Sequence, residues 1–569
     1  ETGGRQADIR HKNLRLVGGF KGDPIRGISY DASYLYERAK ADTRQLNYFS
    51  NSRMTRALDV ITDPSSGQPV CRSVLTGEDP NCVPWDIFEI GAVTPEATAY
   101  LSIPATARGV VKEQVANINA TIDLGEWDIR SPWAHEAPSF NIGAEYRKDQ
   151  IDYVPDEISQ SGDLGGAPSN PEIHGSTKVK ELFAEAQIPI VTDGLVKRLA
   201  FELGYRLSWY SASDSDFSTD SYKIALDLTA VTGVRLRASQ QRAVRAPNIV
   251  ELFTPSIEDF FLDDPCAGFS PKATVAQCAL TGLSPAQYGQ VIPIPEESGI
   301  ADYNAIYAGN LDLQPEIAKT RTAGLVLEPA FLHGLTATID WWEIRLEDAV
   351  AYVPGDTIVA NCMGTEDPTF CERIHRDANG SLWLSPEGFI DTRLFNIGSL
   401  ELQGVDIGIN YRRDLGRFGS ANLEFNGSYL HEYIVDNGGL SESFDCAGRY
   451  GFDCFNPIPD WRHTARLTWE GRQGISVSLN WRYTAELKYR PFPDEVPLVP
   501  LKVPDQSFFD LAAVFRVEPD YTLRLGVNNI FDREPPLTIP CVGPCNGNTF
   551  PQWYDPLGRN FFAGFTVNF

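Results

Sequence analysis

Apolar and polar residues alternate at the C-terminal end of the chain. Phe561, Ala563, Phe565, Val567 and Phe569 fall on one face of an extended segment, with Phe562, Gly564, Thr566 and Asn568 on the other. Strict period two marks a strand whose two faces meet different media. The same pattern recurs upstream. Ile28, Tyr30, Ala32, Tyr34 and Tyr36 alternate with small or polar partners, as do Ala116 to Leu124, Phe140 to Tyr146, Leu182 to Ile190 and Leu199 to Trp209. Further strands follow at Tyr222 to Leu228 and Val234 to Ala238, then around Leu325, Ile339, Ile407, Phe425, Leu467, Leu479, Leu511 and Leu525. With a first strand that turns at Lys21-Gly22-Asp23-Pro24, this gives 17 strands, the last ending on Phe569.

The connections alternate in length. Short ones include Thr192 to Lys197, Ala230 to Gly233, Glu328 to Gly334, Glu470 to Gly474 and Glu518 to Tyr521. Long ones cover about 38–110, 150–175, 211–219, 244–316, 348–386, 435–459, 487–505 and 531–557. Short turns at one end and long loops at the other is the plan of a transmembrane antiparallel β-barrel, and that all-β class is the expectation. The connection 125–137 is long for a turn. Ile390 to Arg412 is read as one strand with a register slip near Gln403-Gly404. Asn119-Ala120-Thr121 and Asn426-Gly427-Ser428 match the glycosylation pattern inside strands, where it carries no meaning.

Composition agrees. The 569 residues hold 30 Phe, 22 Tyr and 11 Trp but 2 Met. Mean hydropathy is −0.24 and no run is long enough for a spanning helix, a test that barrel strands escape. A net charge of −27 argues against nucleic acid, which needs a basic surface. The chain opens on Glu1-Thr2-Gly3-Gly4, so residue 1 is not expected to be the start of the gene. Ten cysteines form five close pairs, Cys71/Cys82, Cys266/Cys278, Cys362/Cys371, Cys446/Cys454 and Cys541/Cys545, one pair per long loop. That spacing favours local disulfides in an oxidising compartment over a metal site. A soluble sandwich would not segregate loop length and cysteines in this way.

A closed antiparallel barrel needs an even number of strands, and 17 is odd. An odd number of further strands is therefore expected from elsewhere, with the chain split, nicked or shortened in an outer loop.

Four segments, in order, resemble a known family. Arg245-Ala246-Pro247-Asn248-Ile249-Val250-Glu251-Leu252-Phe253 looks like the R-A-P-x-x-x-E-L-F signature of TonB-dependent receptors. Gly309-Asn310-Leu311-Asp312-Leu313-Gln314-Pro315-Glu316 is similar to the family's G-N-x-x-L-x-P-E, and Leu525 to Asp532, with Asn528 and Asn529, to its L-x-V-x-N-L-F-D. Gly558-Arg559 with Phe569 resembles its G-R-x-F…F ending. Pro247, Asn310, Pro315 and Gly526 sit at turns or strand ends, where backbone geometry alone can demand them.

The resemblance implies a 22-stranded barrel with an N-terminal plug, so that residues 1–569 supply strands 6–22. The plug and first five strands are then a separate piece. It implies energy-coupled uptake of a scarce or bulky solute (siderophore, oligosaccharide, peptide or cofactor) across the outer membrane of a Gram-negative bacterium. The loops face outward and the C-terminus faces the periplasm. Implied partners are the TonB–ExbB–ExbD complex, lipid and lipopolysaccharide, with a surface lipoprotein as a further candidate. A passive porin and an adhesive or scaffold barrel are the alternatives.

Candidate ligand contacts are loop aromatics: Trp85, Phe88, Phe260, Phe261, Tyr303, Tyr307, Trp383, Trp553 and Tyr554. These could equally pack the loops together. The acidic run Glu258-Asp259…Asp263-Asp264 is a candidate calcium loop but lacks regular ligand spacing. No histidine pairs with a nucleophile elbow or H-E-x-x-H, so an enzyme is not expected.

Overall fold

The computed structural model describes residues 4–167, 169–194, 196–213, 215–295, 302–436, 443–451, 454, 456–491, 501–538 and 548–568. Seventeen long strands form one antiparallel meander: β1 Gln6–Ile25, β2 Ile28–Phe49, β3 Ser102–Asp123, β4 Ser139–Pro155, β5 Ile173–Thr192 and β6 Arg198–Ala212. Then come β7 Ser215–Val231, β8 Val234–Arg245, β9 Glu316–Leu327, β10 Leu335–Glu347, β11 Ser399–Asp414 and β12 Ser420–Asp436. The last are β13 Trp461–Glu470, β14 Ile475–Thr484, β15 Gln506–Glu518, β16 Tyr521–Asn528 and β17 Asn560–Val567. The two-residue strand Phe444–Asp445 adds to β12. Phe569 lies outside the described residues.

Several boundaries differ from the alternation reading. The first reversal is at 26–27, where Gly27 adopts φ +81°, and Lys21 and Gly22 stay in the ladder beside an irregularity between Gly22 and Ile25. The stretch 211–219 is not a loop, because β6 and β7 stay paired up to Ala212↔Ser215. Strands also run past their apolar bands: β2 reaches Phe49 and β3 starts at Ser102, so the excursion is 50–101. Polar rows beyond the band blur alternation while the backbone stays paired. β11 starts at Ser399 rather than 390, and its slip does fall between Gln403 and Gly404.

The sheet has two chemically distinct faces. Leu236, Leu325, Ile339 and Ile407 stand directly opposite one another across β8–β11, and Leu467, Leu479, Leu511, Val527 and Phe561 across β13–β17. Ile339 is 49% exposed and Leu182 52%, so this continuous band has no protein cover. A patch this wide suits hydrocarbon, not water. The other face is polar. Asn117 donates to Glu145, Arg206 and Ser208 donate to Glu181, and Arg237 donates to both oxygens of Asp340 (2.8 and 2.6 Å). That last pair spans β8 to β10 over Gly324 of β9, where a Cβ would collide with Asp340 Oδ1. Glycine is there to leave a gap for an ion pair.

Among the described residues β1 pairs with β2 alone and β17 with β16 alone, and no ladder joins them. With every neighbour antiparallel and 17 strands, β1 and β17 run in the same direction. Connections 26–27, 124–138, 193–197, 232–233, 328–334, 415–419, 471–474 and 519–520 lie at one end, and the long excursions at the other.

The excursions fold into caps. Strand Ile257–Phe261 of one pairs with its own Tyr303–Tyr307, which pairs with Phe389–Asp391 of another, itself paired with Ile374–His375. Phe261, Ile358, Phe370, Leu382 and Ile390 form their shared core, and Cys266–Cys278 and Cys362–Cys371 are bonded. A second cap joins Arg449–Gly451, Leu487–Arg490 and Lys502–Val503 around Tyr450, Phe550 and Tyr554, with Cys446–Cys454 bonded. A third uses 50–101, with Cys71–Cys82 bonded and Asp163 of 156–172 accepting from Ser50 and Ser52. Cys541 and Cys545 lie outside the described residues.

Candidate functional site

On the polar face, at the long-loop end, a cavity of about 860 Å³ opens over β10–β15. Two register rows build it. Asp406, Ser428, Arg462 and Thr484 stand opposite one another, as do Gly408, Asn426, Thr464, Arg482 and Phe508 in the next row. Gln552 and Trp553 of the excursion after β16 complete the lining. Arg482 is held by both oxygens of Asp510 (2.9 and 3.0 Å) and lies over the Phe508 ring. Arg462 lies 5.9 Å from the Trp553 ring centroid and, among the described residues, has no carboxylate within ion-pair distance. The site therefore offers one guanidinium free to meet an anion, one indole face, and amide and hydroxyl groups for orientation.

The family-like motifs lie at the bases of the excursions and bind each other. Arg245 donates to Glu316 (2.5 Å) and Glu251 (3.0 Å), joining the end of β8 to the start of β9. Glu251 also closes a capping box with Asn248, while the amide of Asn310 donates to the carbonyl of Glu251. Asn310 Nδ2 reaches the carbonyl of Leu394, and Pro247 is buried beside this joint. Pro315 leads into β9, next to Gln314, whose amide donates to Asn396. Downstream, buried Asn529 takes φ +51° and exchanges hydrogen bonds with the backbone of Arg533, and the amide of Arg559 donates to Asp532. Asn528 closes β16 opposite Asn560, and Gly558 adopts φ +66° with Asp532 against it. These residues stitch loop bases and leave the cavity to others.

The loop aromatics divide. Phe261 and Tyr303 stack 5.1 Å apart in the first cap's core, and Tyr554 fills the second; none presents a ring to solvent. Burial pushes the Tyr554 phenol well above its usual range. Trp85 packs edge-on to Phe49, Trp383 donates to the carbonyl of Ile292, and Tyr307 meets Tyr352. Phe88 and Phe260 are exposed. Of the nine, Trp553 alone lines the cavity over β10–β15.

Three of the four carboxylates in the acidic run have protein partners. Asp259 accepts from Tyr352 and Thr392, Asp263 from Lys272, and buried Asp264 from Arg376 at 2.8 and 2.9 Å. Among the described residues no cluster of three or more His, Cys, Asp or Glu could hold a metal ion.

Arg462, Arg482, Asp406 and Asn426 were missed from sequence. Their signal is weak: each is a polar residue in an alternating strand, and only the register places them together.

The fold has relatives. Among curated proteins none matches the sequence. Among solved structures, the siderophore receptor PirA from Acinetobacter baumannii superposes with a TM-score of 0.56 at 13% identity. The match covers 99% of this chain and 63% of PirA, so the chain spans under two thirds of that protein's length. The Serratia marcescens hemophore receptor HasR, as a double mutant with its hemophore HasA and heme, gives 0.52 at 13% identity, covering 99% and 66%. The copper transporter OprC gives 0.52 at 14% identity, covering 100% and 69%. At these identities the likeness is one of fold. The family model for the β-barrel of TonB dependent receptor-like proteins matches residues 8–530, nearly the whole wall. The chain therefore belongs to the TonB-dependent receptor β-barrel family, a family of transporters and not of enzymes.

Proposed function

We propose that this chain is part of the wall of an outer-membrane receptor for energy-coupled uptake of a scarce or bulky solute. The observation that carries the reading is the two-faced sheet, apolar on one side, with a polar cavity under folded caps on the other. The apolar band meets lipid, the long-loop end faces outside the cell, and the short turns face the periplasm. A siderophore, oligosaccharide, peptide or cofactor enters the cavity over β10–β15, whose size falls in the range of about 300–1,000 Å³ that takes a drug-sized ligand. Arg462 and Trp553 meet it there.

The two free edges also support a role in a larger wall. Parallel outer strands can be joined in an antiparallel ring only by an odd number of further strands. Five, with a plug filling the lumen, would complete a ring of 22. A barrel this wide leaks unless plugged, and moving a plug requires work from the TonB–ExbB–ExbD complex. A surface lipoprotein would dock on the caps.

The test is uptake by cells expressing the complete receptor, with and without TonB, together with liposome swelling. Expected are TonB-dependent accumulation of the solute and no swelling; free swelling would turn the reading into a passive porin, and binding without uptake into an adhesive barrel. Replacing Arg462 by Gln is expected to weaken solute binding by about ten- to a hundredfold with unchanged membrane levels, since a charge-assisted bond contributes about 1.5–3 kcal/mol.

A further inference from the structure

The chain is acidic overall, at −27, yet one region of its apolar face is strongly basic. On β1–β5 that face carries Tyr34, Ile118, Ile142 and Leu182 in its band. Toward the long-loop end the same alternation runs on, without a register break, into cations. The ladder sets Lys12 opposite Lys40, Arg38 opposite Lys112, and Lys148 opposite Lys178. Like charges directly opposite across a pair destabilise a sheet. Three such pairs on neighbouring strands call for a counter-charge.

The protein supplies little of it. Lys40 has Asp42 at 2.5 Å, but Lys12, Arg38, Lys112, Lys148 and Lys178 have no carboxylate within ion-pair distance among the described residues. β9–β11 provide the internal control. The same face at the same end also bears cations there, and each is matched: Lys319 by Glu347 (2.7 Å), Arg321 by Glu343 (3.5 Å), Arg345 by Glu343 (2.8 Å). A charged rim therefore does not by itself explain the unmatched patch.

The position is informative too. Tyr34, Tyr146 and Trp209 share one register row with Lys180, the row next below Lys148 and Lys178, where amphipathic rings mark the passage from hydrocarbon to headgroups. Beside them a cleft of about 650 Å³ opens between Arg10, Lys12, Arg44 and Arg108. Asp8, Asp42 and Asp156 also line it, but they are engaged by Arg10, Lys40 and the amide of Thr106.

We infer that this patch binds the phosphate groups of a phosphorylated glycolipid in the surrounding leaflet, lipopolysaccharide, with its acyl chains on the apolar band below. The inference rests on the outer-membrane reading above. Lysine and arginine are the side chains suited to phosphate, and fixed charges just outside the hydrocarbon attract anionic headgroups within a Debye length.

The test places the complete receptor in phosphatidylcholine nanodiscs containing lipopolysaccharide with both lipid A phosphates, or its dephosphorylated counterpart. Bound glycolipid is counted by native mass spectrometry. Expected is retention of the phosphorylated form alone, reduced about tenfold in a Lys112→Gln/Lys148→Gln/Lys178→Gln variant and in high salt. A Lys319→Gln/Arg345→Gln control should retain it fully. Heat-modifiability on gels checks that both variants remain folded. Equal retention by the triple variant, or of the two glycolipids, overturns the inference, as does displacement by equimolar inorganic phosphate, which would make the patch a site for a free anion. A receptor that never enters the nanodisc overturns the membrane reading instead.

Discussion

The wall and the caps are built on opposite principles. Among the described residues the twelve largest fully buried side chains, Tyr450, Tyr554, Phe261, Phe370 and Ile390 among them, all lie outside the 17 wall strands. The wall holds its backbone together by ladder hydrogen bonds and leaves its apolar side chains bare. The caps bury theirs around small mixed sheets and local disulfides, as water-soluble domains do. The bare apolar face of the wall and the buried cores of the caps thus suit two different solvents. Damage to a cap should be felt as lost loop order, and damage to the wall's apolar face as lost membrane assembly.

The largest separation is expected from Arg376→Met. It strands Asp264, whose side chain is fully buried, and loss of one partner from a buried pair costs about 3–5 kcal/mol. Limited proteolysis should then open 246–315 while heat-modifiability of the wall is unchanged; loss of both together would erase the distinction. Leu479→Arg, at the centre of the apolar band, is expected to cost about 2–4 kcal/mol in lipid and to lower the amount of assembled barrel. The same variant should leave cap disulfides intact, which non-reducing peptide mapping reads.

Removing Cys362–Cys371, whose cysteines stand nine positions apart in sequence, should cost about 2.5 kcal/mol of cap stability, seen as faster hydrogen exchange in 355–371. Gly324→Ala sharpens the wall side. Its Cβ meets Asp340, so the Arg237–Asp340 pair must open, and a midpoint shift of about 1–3 kcal/mol in denaturant is expected.

The smallest effect is on pH. Burial raises the pKa of the Asp391 carboxyl in the first cap, but hydrogen bonds from Arg393 outweigh this and hold it below the usual range. A lowered native pKa contributes stability that is complete above the ordinary carboxylate value, about 3.9, and is lost as pH falls through the native one. Protease sensitivity of 374–398 should rise below about pH 4 and stay flat between about pH 5 and 8, and Arg393→Gln should shift the onset upward.

Much of the wall was legible because a strand with different media on its faces must alternate, and Ile475 to Thr484 does so residue by residue. The odd count of 17, the slip at Gln403-Gly404 and the local cysteine pairing within 50–101, 246–315, 348–398 and 437–460 could all be read from one dimension. The caps could not. Phe261 and Trp553 look alike as loop aromatics, yet one lies in a core and the other lines a cavity.

Alternation, turn chemistry and cysteine spacing are short-range properties, and they alone determined a two-faced antiparallel wall with loops gathered at one end. Which charges meet was decided only by tertiary structure. Arg237 finds Asp340 across a glycine, Arg245 finds Glu316 across 71 positions, and Lys148 faces Lys178 because register, set by pairing between distant segments, brings them level.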